Sequence, residues 1–135
     1  MKKVLLGLIV LLLMGCSEDS ATQGDEQATT GPPATLAVPG DEDYALVFFL
    51  DPKGGPCRMQ DDILQRMSDE LAGKVHLRYV STQEPQDINF FYAHGVRGLP
   101  QLMLADAQGR EIKRLTPGVK TAEDIRRLLA NAGAI

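Results

Sequence analysis

The stretch Tyr44-Ala-Leu-Val-Phe-Phe-Leu50, followed at once by Asp51-Pro52-Lys53-Gly54-Gly55-Pro56-Cys57-Arg58, decides the fold of this chain. Its first part is a continuous apolar run with the length of a strand buried on both faces. The Asp-Pro-Lys-Gly-Gly cluster is typical of a turn. Pro56 suits the start of a helix, because the first turn leaves its N–H groups unpaired in any case. The sequence therefore predicts a central strand that leads through a tight turn into a helix bearing Cys57.

The helix that begins at Pro56 is predicted to continue to the glycine at position 73. Its apolar residues recur at intervals of four, as one face of a helix requires. They are Met59, Ile63, Met67 and Leu71, with Leu64 beside them.

The remaining sequence predicts further alternation of strands and helices. Residues 75–80, 101–105 and 111–115 have the pattern of strands, residues 85–94 form a short helix ended by Gly95, and the turn 106–109 joins the last two strands. Thr121-Ala-Glu-Asp124 resembles a capping box and begins a closing helix. The apolar face of that helix consists of Ile125, Leu128, Leu129 and Ala132. The predicted fold class is α/β, ordered β-α-β-α-β-β-α, with a mixed sheet and helices on both faces.

Two motifs in this part of the chain resemble the thioredoxin family. Residues 53–58, Lys-Gly-Gly-Pro-Cys-Arg, stand where the family has Trp-Cys-Gly-Pro-Cys-Lys/Arg between a central strand and a helix. Val96-Arg97-Gly98-Leu99-Pro100 resembles the loop that bears the family's cis-proline. The order of elements from 44 to 131 also fits, although the family's additional amino-terminal strand and helix have no counterpart. The resemblance implies a minimal thioredoxin-like domain over residues 44–135.

The residues that depart from the family pattern are those that carry out its disulfide exchange. Gly54 stands where the family has its first, nucleophilic cysteine, and Cys57 stands where it has the second. Lys53 replaces the tryptophan, and Phe48 stands where the family often has a buried acid. Disulfide exchange needs one thiolate to attack and a second thiol to release the mixed disulfide. A conventional dithiol oxidoreductase is therefore excluded, and at most a monothiol activity is expected.

Two alternatives stay open for the candidate site. Cys57 is either a monothiol that forms mixed disulfides with glutathione or a partner, or an inert thiol that packs as a small hydrophobe. Its neighbours Lys53 and Arg58 favour a thiolate by their charge.

The resemblance also implies substrate-binding residues at Gly54, Gly55, Pro56, Leu99 and Pro100. In the family, the main chain just before the cis-proline pairs with an extended peptide, so the same residues could serve a non-catalytic binding module. The alternative is that Pro100 only shapes its loop.

The first fifteen residues are predicted to be a lipoprotein signal peptide. Lys2 and Lys3 precede an apolar run at residues 4–14, which is shorter than the roughly 20 residues that a membrane-spanning helix needs. Leu13-Met14-Gly15-Cys16 resembles the bacterial lipobox, with Met14 in place of the usual small residue. The resemblance implies cleavage before Cys16 and its lipidation, and Ser17 after it favours the outer membrane facing the periplasm. The alternatives are an ordinary signal peptide with an incidental cysteine or a buried core helix.

Residues 16–43 are predicted to be a flexible acidic tether behind that lipid anchor. They contain seven acidic residues and no lysine or arginine, and Leu36 and Val38 are their only large aliphatic residues. So few apolar groups cannot offset the entropy of ordering. A short strand at residues 35–38 is the alternative for the end of this segment.

Composition limits the remaining function classes. The chain has 135 residues and a net charge of −4, which allows one domain and gives no basic footprint for nucleic acid. His76 and His94 are not spaced as metal ligands, and no phosphate-binding loop or paired-carboxylate site is present, so neither a metal nor a cofactor is expected. The expected partners are an envelope protein or peptide, with or without a reactive thiol, and the membrane through the lipid.

Overall fold

The computed structural model describes residues 35–135. The predicted signal peptide, the lipidation at Cys16 and most of the predicted tether lie outside these residues. The helices and strands follow one another as β1 (Tyr44–Leu50), α1 (Gly55–Arg66), α2 (Ser68–Leu71), β2 (His76–Ser81), a 3₁₀ turn (Pro85–Asp87), α3 (Ile88–Ala93), β3 (Gln101–Asp106), β4 (Glu111–Arg114) and α4 (Ala122–Asn131).

The strands form one four-stranded mixed sheet in the order β2-β1-β3-β4. β1 is parallel to β2 and antiparallel to β3, and β4 is antiparallel to β3. This arrangement confirms the predicted α/β class and the mixed sheet.

The core lies on both faces of the sheet because the side chains of β1 alternate between them. Leu46 and Phe48 belong to a cluster with the buried residues of α1, α2 and α4. Val47 and Phe49 belong to a second cluster, against which the phenylalanines of α3 pack. β1 is therefore the centre of the fold, as its uninterrupted apolar sequence predicts.

The long helix predicted from Pro56 is divided in two, and its predicted apolar face is partly wrong. α1 ends at Arg66 and α2 begins at Ser68, with Met67 between them. Met59 is 59% exposed, whereas Gln60 is fully buried. The buried side of α1 follows Cys57, Gln60 and Leu64, whose spacing of three and four residues places them on one face.

The packed structure begins before Tyr44. Leu36 is only 3% exposed and lies in the core cluster on the α3 face, although its segment is predicted to be a tether. The Val38 N–H donates a hydrogen bond of 3.0 Å to the Ala107 carbonyl. Residues 35–38 form no strand, so the strand alternative is wrong. The side chains of Leu36 and Val38 are enough to hold this segment because they pack on the core cluster of the α3 face.

The capping box that predicts α4 is present. The Thr121 hydroxyl accepts a hydrogen bond of 3.2 Å from the Asp124 N–H, and the Asp124 carboxylate accepts one of 3.1 Å from the Thr121 N–H. Ile125, Leu128 and Leu129 are buried, as predicted. Within residues 35–135, no helix is both long and apolar enough to cross a membrane.

Candidate functional site

The turn after β1 sets the position of the cysteine. The Gly54 N–H donates to the Asp51 carbonyl at 2.9 Å, and the Lys53 N–H donates to the Asp51 side chain at 2.9 Å. Gly54 is the residue that precedes α1, and Pro56 lies in the first helical turn. These local bonds place Cys57 in the first turn of α1, as predicted.

The thiol of Cys57 is enclosed by the protein. The residue is 2% exposed and belongs to the core cluster on the α1 face. Its Sγ accepts a hydrogen bond of 3.4 Å from the Asp51 N–H. The Arg58 guanidinium donates to the Lys53 carbonyl at 2.8 Å, so both basic neighbours belong to the turn. A sulfur in this position is closed to the bulk of a protein substrate.

Gly54 leaves the place beside this sulfur without a side chain. A Cβ at position 54 would lie 3.4 Å from Sγ of Cys57 and 3.6 Å from its Cβ. Cβ atoms joined by a disulfide are about 3.5–4.5 Å apart. The φ of −71° at Gly54 suits any residue. The backbone at positions 54 and 57 therefore has the geometry for a disulfide, but only position 57 carries a sulfur.

The loop before β3 lies at the same edge of the sheet, because the strand register places Gln101 opposite Phe49 near the end of β1. The Leu99–Pro100 peptide bond is cis. The Pro100 carbonyl accepts a hydrogen bond of 2.8 Å from the Gly118 N–H. Neither the N–H nor the carbonyl of Leu99 has a hydrogen-bond partner within residues 35–135. Leu99 therefore presents free main-chain groups beside the turn that holds Cys57.

Gln60 connects the two parts of the site, and no pattern in the sequence identifies it as a site residue. Its fully buried side chain donates to the Lys120 carbonyl at 3.3 Å and accepts from the Lys120 N–H at 2.6 Å. The loop that ends at Lys120 also supplies Gly118, which contacts Pro100. The glutamine amide can make both bonds at once because it carries a donor and an acceptor on neighbouring atoms. A polar residue one turn after Cys57 was the available signal, but its partner lies far away in sequence.

The position where the family often has a buried acid is wholly apolar. Phe48 is fully buried, and its ring meets Tyr79 edge to face with centroids 5.4 Å apart. The Tyr79 hydroxyl donates to the Asp61 carboxylate at 2.8 Å. Burial, and then the Asp61 carboxylate, raise the pKa of Tyr79 well above its ordinary value. Neither Phe48 nor this tyrosine supplies a group that exchanges protons near neutral pH.

Within the described part of the chain, no three His, Cys, Asp or Glu side chains come together as a metal site. The Nδ1 atom of His94 lies 3.7 Å from a Glu111 oxygen at the end of α3. His76 is at the other end of the sheet, at the start of β2.

Comparison with curated proteins gives relatives that are themselves redox proteins by name. The chain is 31% identical over 84 residues to the NADPH-dependent thioredoxin reductase 3 of Arabidopsis thaliana, covering 62% of this chain and 15% of that protein. It is 35% identical over 66 residues to the chloroplastic thioredoxin M-type of Pisum sativum, covering 49% of this chain and 37% of that protein. The chain thus spans well under half the length of these relatives.

Comparison with solved structures supports the same fold. A mutant thioredoxin from Halobacterium salinarum matches with a TM-score of 0.57 and 21% identity, over 67% of this chain and 75% of that one. A family model described as a thioredoxin-like domain matches residues 32–133, which include every helix and strand of the structure. This protein therefore belongs to the thioredoxin-like family.

Proposed function

We propose that this protein is a lipid-anchored thioredoxin-like module of the bacterial envelope that binds an extended segment of a partner protein without dithiol exchange. The observation that carries the proposal is the main chain of Leu99, whose N–H and carbonyl are both unpaired within residues 35–135. An extended peptide can add to such groups as a short strand, with side-chain contacts for selectivity.

The surroundings of Leu99 suit a binding surface. Its side chain packs against both core clusters, so the main chain before Pro100 is held from two sides. Gly118 and Pro117 support the same loop from behind. A preorganised loop loses little entropy when it binds, which favours affinity.

The Cys57 sulfur is poorly suited to catalytic disulfide exchange. With glycine at position 54, no second thiol can resolve a mixed disulfide within the site. A thiol that is 2% exposed is also difficult for a protein disulfide to reach. Cys57 in this proposal packs as part of the core.

A second function is favoured by the bare position at Gly54. Position 54 adds no side chain over the sulfur, because a Cβ there would lie 3.4 Å from Sγ and glycine has none. Under this alternative, Cys57 acts as a monothiol that forms a mixed disulfide with glutathione or a partner thiol.

The location in the envelope is proposed from the amino-terminal sequence. A lipid on Cys16 and the acidic residues that follow would place the domain at a distance from the membrane surface. Ser17 favours the outer membrane, with the domain facing the periplasm.

In-cell photocrosslinking tests the proposed binding. A photoreactive amino acid replaces Arg97, which is exposed next to the loop, and the control replaces Lys74, which is exposed before β2 at the opposite end of the sheet. We expect a discrete crosslinked partner from position 97 only, in the membrane fraction. Pro100→Ala should weaken it by about five- to hundredfold, because the altered loop no longer holds the Leu99 main chain for two hydrogen bonds that contribute about 0.5–1.5 kcal/mol each.

Cys57→Ser separates the two functions. The binding proposal expects the crosslink to survive this substitution. Loss of the crosslink in Cys57→Ser, together with a partner released from the unchanged protein by reductant, would instead establish the monothiol function.

A further inference from the structure

A groove between β4 and α4 is not used by the site described above. Its volume is about 490 Å³, which falls within the range of about 300–1,000 Å³ that is usual for small-molecule sites. Its apolar wall consists of Ile112, Leu115, Leu128 and Ala132. Ile112 is 45% exposed although it is a large aliphatic residue, so the groove leaves apolar surface in contact with water.

The polar lining of this groove is mostly cationic. Lys113, Lys120 and Arg127 line it, against one carboxylate, that of Asp124. Hydrogen bonds from Thr121 hold the pKa of Asp124 below its ordinary range, and they occupy this carboxylate in the helix cap. The groove thus gathers positive charge on a chain whose net charge is −4.

The partners of these cations leave charge available for a ligand. Arg127 lies 2.9 Å from Glu123 and 3.8 Å from Asp124, whereas the Lys120 ammonium donates to the Thr116 hydroxyl at 3.1 Å and acts on the Asp124 carboxylate only by its charge. Within residues 35–135, Lys113 takes part in no ion pair. Two lysines therefore stand beside an apolar wall, and neither forms an ion pair within residues 35–135.

The edge of the sheet next to the groove is poorly suited to strand addition by a peptide. β4 has four residues, and three of them are charged: Glu111, Lys113 and Arg114. Its pairing with β3 is interrupted by a register shift at Leu104/Ala105. Short, charged and bulged edges discourage a further strand. A ligand in this groove must therefore be held by side chains.

We propose that this groove binds a medium-chain aliphatic carboxylate, with its tail on the apolar wall and its carboxylate between Lys113 and Lys120. An amphipathic anion is the chemical class that matches an apolar surface flanked by unpaired cations. The residues that line the groove do not include Leu99, Pro100 or Cys57, so this inference does not depend on the proposed function.

Photolabelling of the purified full chain tests the proposal. The probe is decanoic acid with a diazirine in its tail, and the control probe carries the same tail on an uncharged alcohol. We expect the acid to label peptides containing residues 112–115 and 128–132, and unlabelled decanoate to displace it. Lys113→Glu should weaken this displacement by about five- to tenfold, since it converts attraction into repulsion.

The controls make the outcome decisive. Lys74→Glu changes an exposed lysine outside the groove and should leave labelling unchanged. If Lys113→Glu unfolds, Lys113→Gln replaces it, with an expected weakening of about threefold. Equal labelling by the alcohol probe, labelling that decanoate does not displace, or stronger displacement by an acidic peptide than by decanoate would each overturn the proposal.

Discussion

The two halves of the candidate site are held in place by different means. The cysteine half, residues 51–58, is shaped by bonds between near neighbours, such as Gly54 to Asp51 and Asp51 to Cys57. The proline half, residues 96–100, is held from far along the chain, by Pro117 and Gly118. The local half therefore carries one sulfur because residue 54 has no side chain, although a Cβ there would lie 3.6 Å from the Cβ of Cys57. The other half depends on tertiary contacts and is expected to tolerate little change.

The largest expected effect is a gain of dithiol redox activity in the cysteine half. Gly54→Cys should form an intramolecular disulfide with Cys57 and give the protein an insulin-reducing activity that the unchanged chain lacks. The 3.6 Å between the two Cβ positions allows the bond, with a small shift away from the Asp51 carbonyl, which would lie 3.2 Å from the new Cβ. Peptide mapping by mass spectrometry and insulin turbidity measure the two results.

Gly55→Cys is the matched control for that variant. A Cβ at Gly55 would meet nothing within 4 Å, so its thiol points away from the site. It should give neither the disulfide nor the activity. Two free thiols at positions 54 and 57 after oxidation of Gly54→Cys would show that the cysteine half has not kept the family's geometry.

The second effect tests the connection between the halves. Gln60→Ala should lower the free energy of unfolding by about 2–4 kcal/mol, because it leaves the Lys120 N–H and carbonyl unpaired, and these part-buried groups fall in the lower half of the range of about 1–3 kcal/mol each. Urea denaturation measures this loss. Met59→Ala, at the neighbouring exposed position, should change stability by no more than about 0.5 kcal/mol. Similar losses in the two variants would contradict the role given to Gln60.

The smallest effect compares one glycine from each half. Gly98→Ala should destabilise the protein by about 1–3 kcal/mol, since its Cβ would lie 2.9 Å from the Cβ of Pro117. Gly55→Ala should be neutral or stabilise by up to about 1 kcal/mol, because the space around it is open. Equal tolerance, measured by urea denaturation, would remove the distinction between the two halves.

Features with a strong local pattern could be predicted from the sequence. β1 coincides with the seven-residue apolar run Tyr44–Leu50, and α4 begins at the predicted capping box. The position of Cys57 in the first turn of a helix was also predicted, because a turn cluster and Pro56 precede it. In each case the signal is a pattern of neighbouring residues in the sequence.

Features that depend on distant partners could not be predicted. Gln60 is polar by sequence, yet it is buried because the Lys120 main chain, 60 positions away, satisfies its amide. Met59 is apolar, yet it faces solvent because the buried line of α1 is set by the sheet beneath it. Leu36 was assigned to a tether because the apolar surface that receives it is formed by residues much later in the chain.

The sequence by itself determined the order of the elements and the absence of a sulfur at position 54, because periodicity and the identity of a side chain are properties of the covalent chain. The tertiary structure alone decided that Cys57 is enclosed, that the Leu99 main chain has no hydrogen-bond partner among residues 35–135, and that β4 and α4 leave a cationic groove between them. Burial, pairing and cavities arise only when residues far apart in sequence meet, and no local pattern records which of them will do so.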